Sequence, residues 1–186
     1  MLHLTLAGAL AGGLSGCSAA EVTAPDVTAS EGQVESACGP VVVERLDASS
    51  ALHLLPGAPE PNYLSDPPTS GPHLSGRPPM GTLDAALDRP TQVLVLETGG
   101  VLIQHRDLSG DEVASLQALA SDQVVVAPNP SLPAPVVATA WLTKQTCPGV
   151  NLDALSRFVG DHLGQGPDAD EGNAADVARP WWWAAR

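Results

Sequence analysis

The 186-residue sequence predicts an α+β domain: a mostly antiparallel sheet of about four or five strands, two helices and one long Pro-rich loop. Three observations predict it. Short β-branched runs recur at residues 41–46, 101–105, 123–127 and 136–142. Two other segments, after Ser109 and after Asn151, space their apolar residues at helical intervals. The resulting order is strand, long loop, hairpin, helix, strand, strand, helix, with no regular strand–helix alternation.

Taken in order, residues 41–46 form the first strand. Residues 56–90 are dense in proline and have no period, so they read as a surface belt or a functional loop. The apolar runs 93–97 and 101–105 flank Gly99-Gly100, which predicts a hairpin. Ser109 then offers an N-cap, with Asp111 and Glu112 in the first turn, where the helix dipole favours acids. Val113, Leu116 and Ala120 give that helix its stripe. Residues 123–127 form a strand closed by Pro128 and Pro130, and residues 136–142 form another that carries Trp141. Asn151 caps a final helix with Leu152, Leu155, Phe158 or Val159, and Leu163 on one face, ended by Gly164 and Gly166. No internal repeat is visible.

Only 3% of residues are aromatic, so the core must be built from Leu, Val and Ala, with Trp141 and Phe158 as its large pieces. The net charge of −13 repels phosphate backbones and excludes a nucleic-acid partner. It also leaves no polybasic patch for anionic lipid, so any membrane attachment must come from the N-terminus.

The N-terminus supplies such an attachment. The apolar run 4–14 is about 11 residues long, whereas a spanning helix needs roughly 20, so it fits the apolar region of an export signal. It ends in Leu14-Ser15-Gly16-Cys17, which resembles the lipobox of bacterial lipoproteins. That resemblance implies a diacylglycerol on the Cys17 thiol and cleavage just before it. The run is preceded by His3 rather than by Lys or Arg. The expected organisation is a signal peptide at 1–16, a flexible tether at 17–37, one domain at 38–166 and a disordered tail at 167–186 that ends in Trp181-Trp182-Trp183. The expected location is the extracytoplasmic face of a cell membrane, held by the lipid on Cys17.

Two cysteines remain, Cys38 and Cys147. An exported protein sits in an oxidising compartment, where an even pair usually bridges, and no CxxC spacing points to metal or redox use. A bridge closes a loop of about 110 residues and is worth up to about 4 to 5 kcal/mol in the entropy model.

The segment Pro67-Pro68-Thr69-Ser70-Gly71-Pro72-His73 resembles the PPTSGPH motif of the domain of unknown function 3105 family. Other features follow in the family's order: Cys38, His53 and Tyr63 before or beside the motif, Leu96-Glu97-Thr98-Gly99-Gly100-Val101 where the family has LEHGGV, Thr139-Ala140-Trp141, and Arg157-Phe158 in the last helix. The resemblance covers roughly residues 38–168 and implies a secreted or membrane-anchored domain. The family's H-N-L-E-H-G-G stretch departs here, because Leu94 and Thr98 occupy its two histidine positions. The resemblance therefore describes a lipoprotein member with both hairpin histidines replaced and, if the family binds metal, a weakened site.

The sharpest chemical candidate is a metal site from His53, His73 and His105, with Glu97 as a carboxylate or outer-sphere partner. Imidazole donors suit zinc or copper, although no HExxH-type spacing is present. The competing account has these histidines bonding loop backbone. His162, near the end of the last helix, reads as a complement to the helix dipole. Ser70 beside His73 raises a hydrolase, but a nucleophile elbow needs GxSxG between strand and helix, and here a Pro-rich loop holds the serine. Gly99-Gly100 lacks a phosphate-binding context. The expected function is thus a membrane-anchored lipoprotein with a non-enzymatic binding or interaction domain. The alternatives are a copper- or zinc-binding domain and a hydrolase of nonstandard site.

Overall fold

The computed structural model describes residues 37–169. Cys17, the signal, all but the last residue of the tether, and the tail from residue 170 lie outside the described residues. In chain order the elements are β1 (Val42–Val43), β2 (His53–Leu54), β3 (His73–Leu74), α1 (Arg89–Glu97), β4 (Val101–His105), α2 (Gly110–Gln117), β5 (Val124–Pro128), β6 (Val136–Ala140), β7 (Thr143–Cys147) and α3 (Leu152–His162).

Alternation along β4 sets the layering, because successive strand side chains leave opposite faces. Val101 and Ile103 enter an apolar cluster with Leu116 of α2 and Leu155 and Phe158 of α3. Leu102 enters a second cluster with Val95 and Leu96 of α1. The sheet therefore carries α2 and α3 on one face and α1 on the other. Its strand order is β1-β7-β6-β4-β5. Only β4 and β5 run parallel, joined by α2, and the other pairings are antiparallel. The fold is α+β with a mostly antiparallel sheet. A separate ribbon pairs β2 with β3. At the outer edge of β5, Leu83 N–H donates to the Val126 carbonyl (2.9 Å) and Val126 N–H to that of Gly81 (3.0 Å), so this edge is covered. Cys38 and Cys147 form a disulfide across 109 positions, which fastens the start of the described chain to β7.

The caps expected from sequence are in place. Ser109 and Glu112 form a capping box on α2, and Asn151 accepts the Ala154 N–H on α3.

Four expectations change. Residues 93–97 belong to helix α1, not to the first arm of a hairpin. Asp88 caps this helix by accepting the Thr91 N–H, and Pro90 starts it, where its missing N–H costs nothing. Val93, Leu94, Val95 and Leu96 are all buried, so the helix has no polar face to mark its period. Gly99 ends it at φ +84, and a Cβ on Gly100 would stand 2.7 Å from the Val95 carbonyl oxygen. The glycines turn a helix into a strand rather than strand into strand. There are accordingly three helices instead of two. The first strand shrinks to Val42–Val43. Finally, the segment after β6 folds back as β7, a polar strand the pattern did not reveal. Trp141 sits in the turn between them, half-buried against the α1-side cluster, and Phe158 alone fills the large central place.

Candidate metal centre

The PPTSGPH segment is a buried platform. All of residues 67–73 are buried, although most are polar or conformationally special. Buried polar groups need partners, and this segment has them. Ser70 Oγ accepts the Asp47 N–H at 3.0 Å. Thr69 Oγ1 donates to Glu44 Oε2 at 2.7 Å, Ser65 Oγ donates to the same oxygen, and Lys144 pairs with Glu44 at 2.9 Å. The Thr69 carbonyl accepts the Leu142 N–H at 3.1 Å. Tyr63 donates its hydroxyl hydrogen to the Pro72 carbonyl at 2.7 Å. Its ring lies so close to Gly71, at φ +131, that a Cβ there would come within 2.8 Å of it. Gly71 is glycine for both reasons.

This platform fixes His73. β2 and β3 pair in parallel with His53 opposite His73, so both imidazoles leave the ribbon on the same side. Their ring centroids are 4.7 Å apart in an edge-on arrangement. α1 packs on β3 and brings Glu97 from its last turn against His73. His53, His73 and Glu97 each offer a ligand atom, and those atoms lie within 4.8 Å of one another. His73 is fully buried, Glu97 nearly so, and His53 is exposed.

The protonation of this cluster follows from its hydrogen bonds. His73 Nδ1 lies 3.1 Å from the Gly71 carbonyl. A carbonyl only accepts, so the ring hydrogen sits on Nδ1 and Nε2 carries a lone pair. Burial holds the imidazole below its ordinary value, the Gly71 bond opposes that in part, and His53 adds to the depression. Nε2 faces Glu97 Oε2 and has no hydrogen-bond donor among the described residues. Two lone-pair atoms meet there. Burial, and then the charge of Asp168, raise the Glu97 carboxyl to about 7. The contact needs a proton or a cation between the two groups. The Nδ1–carbonyl bond is also the arrangement that orients a metal-ligating histidine.

A cavity of about 640 Å³ opens beside the cluster, lined by His53, Glu97, Leu94, Thr98, Met80 and Asp168 among others. Leu94 and Thr98, the two positions that the resemblance marks for histidine, thus face the same space as Glu97. They share a face because they stand four apart at the end of a helix.

His105 does not join this group. It lies at the far end of β4, about 13 Å along the strand from Val101 at a rise of about 3.3 Å per residue. There it lines a separate small cavity with Arg106 and Pro128, and burial lowers its pKa. The hairpin that would have carried it back to Glu97 does not exist. Ser70 is buried with its hydroxyl engaged, out of reach of a substrate. Gly99 and Gly100 serve the α1–β4 turn. His162, in the last turn of α3, lies against Phe158 with its ring tilted by 54°. Cys17 lies outside the described residues. Asp168 went unnoticed in the sequence, since it is one of several acids, with Asp170 and Glu171, in a segment without periodicity.

An α+β domain with a buried histidine–carboxylate cluster under a Pro-rich platform is the class of protein that fold and site define. The chain belongs to the family described as Protein of unknown function (DUF3105), whose model matches residues 59–176, more than half of the chain. The match includes His73 and Glu97 and begins after His53. No curated protein and no solved structure matches the chain.

Proposed function

We propose that this chain is a lipid-anchored, extracytoplasmic domain that binds a divalent zinc or copper ion through His53, His73 and Glu97. One observation carries the metal reading: a fully buried imidazole, its hydrogen committed to Gly71, turns the lone pair of Nε2 onto a carboxylate, with a second imidazole in register beside it. Two nitrogens and an oxygen suit zinc or copper(II). The anchoring rests on the lipobox at Cys17 and on the composition. Among the described residues no helix is long and apolar enough to cross a membrane.

Elemental analysis of the purified chain after zinc or copper loading tests the metal reading. About one equivalent is expected, lost in His73→Ala and weakened in His53→Ala. No retained metal in the folded wild type would return the histidines to scaffold. Labelling of cells with a radioactive fatty acid tests the anchor: incorporation that disappears in Cys17→Ser is expected.

A second reading, a domain that binds a protein partner, draws on exposed apolar residues early in the domain, including Val43, Leu52 and Leu55, which are 76%, 58% and 78% exposed. It predicts co-purification of a membrane-fraction partner that His73→Ala does not affect.

A further inference from the structure

The number and placement of the donors decide what the cluster can do with an ion. Among the described residues three side chains, those of His53, His73 and Glu97, offer ligand atoms within 4.8 Å of one another. Zinc ordinarily takes four ligands. Structural sites draw all four from protein, whereas sites that act on a bound molecule draw three and leave the fourth position to water or substrate. Two imidazoles with one glutamate are a donor set of the second kind.

The three donors are also unevenly placed. His73 is fully buried, and its unpartnered Nε2 reaches the cluster from the protein side. His53 and Glu97 belong to the wall of the 640 Å³ cavity, and His53 is exposed. The side left for a further ligand is therefore the one away from His73, where the cavity lies. Its volume is in the range of small-molecule sites, about 300–1,000 Å³.

The wall beside Glu97 states what such a molecule should look like. Leu94 stands one helical turn before Glu97 on the same face of α1, and both line the cavity. Val95 and Val125 continue this apolar floor, and the three side chains are 6%, 2% and 1% exposed. The loop after β3 adds Pro78, Pro79 and Met80. A divalent ion with the Glu97 carboxylate keeps one net positive charge, which a single anionic head would balance. Asp122 and Asp168 line the same cavity and oppose a second negative charge. Carboxylate oxygen is an ordinary zinc ligand. We propose that the cluster holds its ion with one position open to the cavity, and that the molecule taking this position is a monocarboxylate with a short apolar body. This inference rests on the metal reading above and deepens it by naming the class of ligand.

The test uses the full-length chain in a nonionic sugar detergent, loaded with cobalt(II) as a spectroscopic substitute for zinc. Acetate, propionate, butyrate and pentanoate are titrated in turn while the visible bands and the protein-bound cobalt are followed. Each should shift the bands saturably with the cobalt retained. Affinity should rise along the series by up to about fourfold per methylene, the gain for burying one CH₂. Succinate, a dianion, should bind more weakly than butyrate. In Leu94→Ala acetate affinity should hold while the gain per methylene shrinks. Should that variant not fold, the wild-type series decides alone. Bands that no carboxylate alters, with cobalt bound, would overturn the open position and leave the three-residue site standing. Equal affinity along the wild-type series, or an unchanged gain per methylene in folded Leu94→Ala, would overturn the cavity floor as the ligand's seat. Absence of both cobalt and zinc uptake by the folded wild type would overturn the metal reading itself, and this inference with it.

Discussion

The five-stranded sheet and the platform of residues 44–74 are each buried at their centres, but different forces bury them. In the sheet, Val101, Leu102, Ile103, Val124, Val125, Val126, Val136 and Val137 are all almost completely buried. Each is worth about 1.5–3 kcal/mol of hydrophobic burial, and none depends on one particular neighbour. In the platform the pattern is inverted. Asp47, Ser50, Thr69, Ser70 and His73 are buried, while Leu46, Leu52, Leu55 and Leu64 are exposed. Order there depends on specific hydrogen bonds, each worth about 0.5–1.5 kcal/mol net but costly when one partner is removed. The sheet is therefore a tolerant support, and the platform is a polar assembly with few substitutes for any of its members. On the proposed metal reading, an ion held by His53, His73 and Glu97 would tie the platform to helix α1 of the support.

The largest effect distinguishes the two regions most simply. Phe158 is the largest fully buried side chain and stands between α3 and the sheet. Phe158→Ala should cost about 3–5 kcal/mol in denaturant unfolding. In protein that remains folded, zinc affinity should be close to wild type. A truncation that spared stability but abolished metal binding would break the comparison, because it would make the sheet side part of the site.

The platform should respond in the opposite sense. Ser70→Ala deletes the acceptor of the Asp47 N–H in a buried setting. The expected loss is about 1–3 kcal/mol. Because Ser70 precedes Gly71, whose carbonyl orients His73, zinc affinity should fall as well. Calorimetric zinc titration beside denaturant unfolding separates the two losses. Unchanged affinity with lowered stability would mean that Gly71 holds His73 without help from Ser70.

The same contrast explains what could be read from the sequence. Features written in local chemistry were legible: the Ser109 and Asn151 caps, the β-branched strands β4, β5 and β6, the PPTSGPH segment and the paired cysteines. α1 was not, because a four-residue apolar run, Val93 to Leu96, buried all round has no period to separate helix from strand. β7 was hidden by its composition, Thr-Lys-Gln-Thr-Cys, which lacks an apolar alternation. The ribbon of β2 and β3 is two residues long on each side, too short for any pattern, yet its register is what sets His53 beside His73. The site residues His53, His73 and Glu97 were therefore visible as types. Their meeting is a consequence of tertiary register and of a helix that looked like a strand, and the same misreading placed His105 with them.

The smallest expected effect concerns the acid side of the platform. Burial opposes the charge on Glu44, but hydrogen bonds from Ser65 and Thr69 together with Lys144 outweigh it, so its pKa lies below the ordinary 4.5. A carboxyl whose folded value is depressed binds fewer protons in the folded than in the unfolded chain near that pH. It thus contributes stability that is fully present above about 4.5 and is lost as pH falls through the lower folded value. Glu44 is part-exposed, so solvent screens this contribution and keeps it small. Thermal melts of wild type and Glu44→Gln between pH 7 and pH 3 should differ at neutral pH and converge at the acid end. Convergence would assign part of the acid sensitivity to the platform, where Glu44 receives Thr69 and Ser65. Parallel curves would mean that the hydroxyl bonds hold equally well to an uncharged side chain. The platform would then depend on hydrogen-bond geometry and not on charge, which would sharpen the contrast with the sheet rather than erase it.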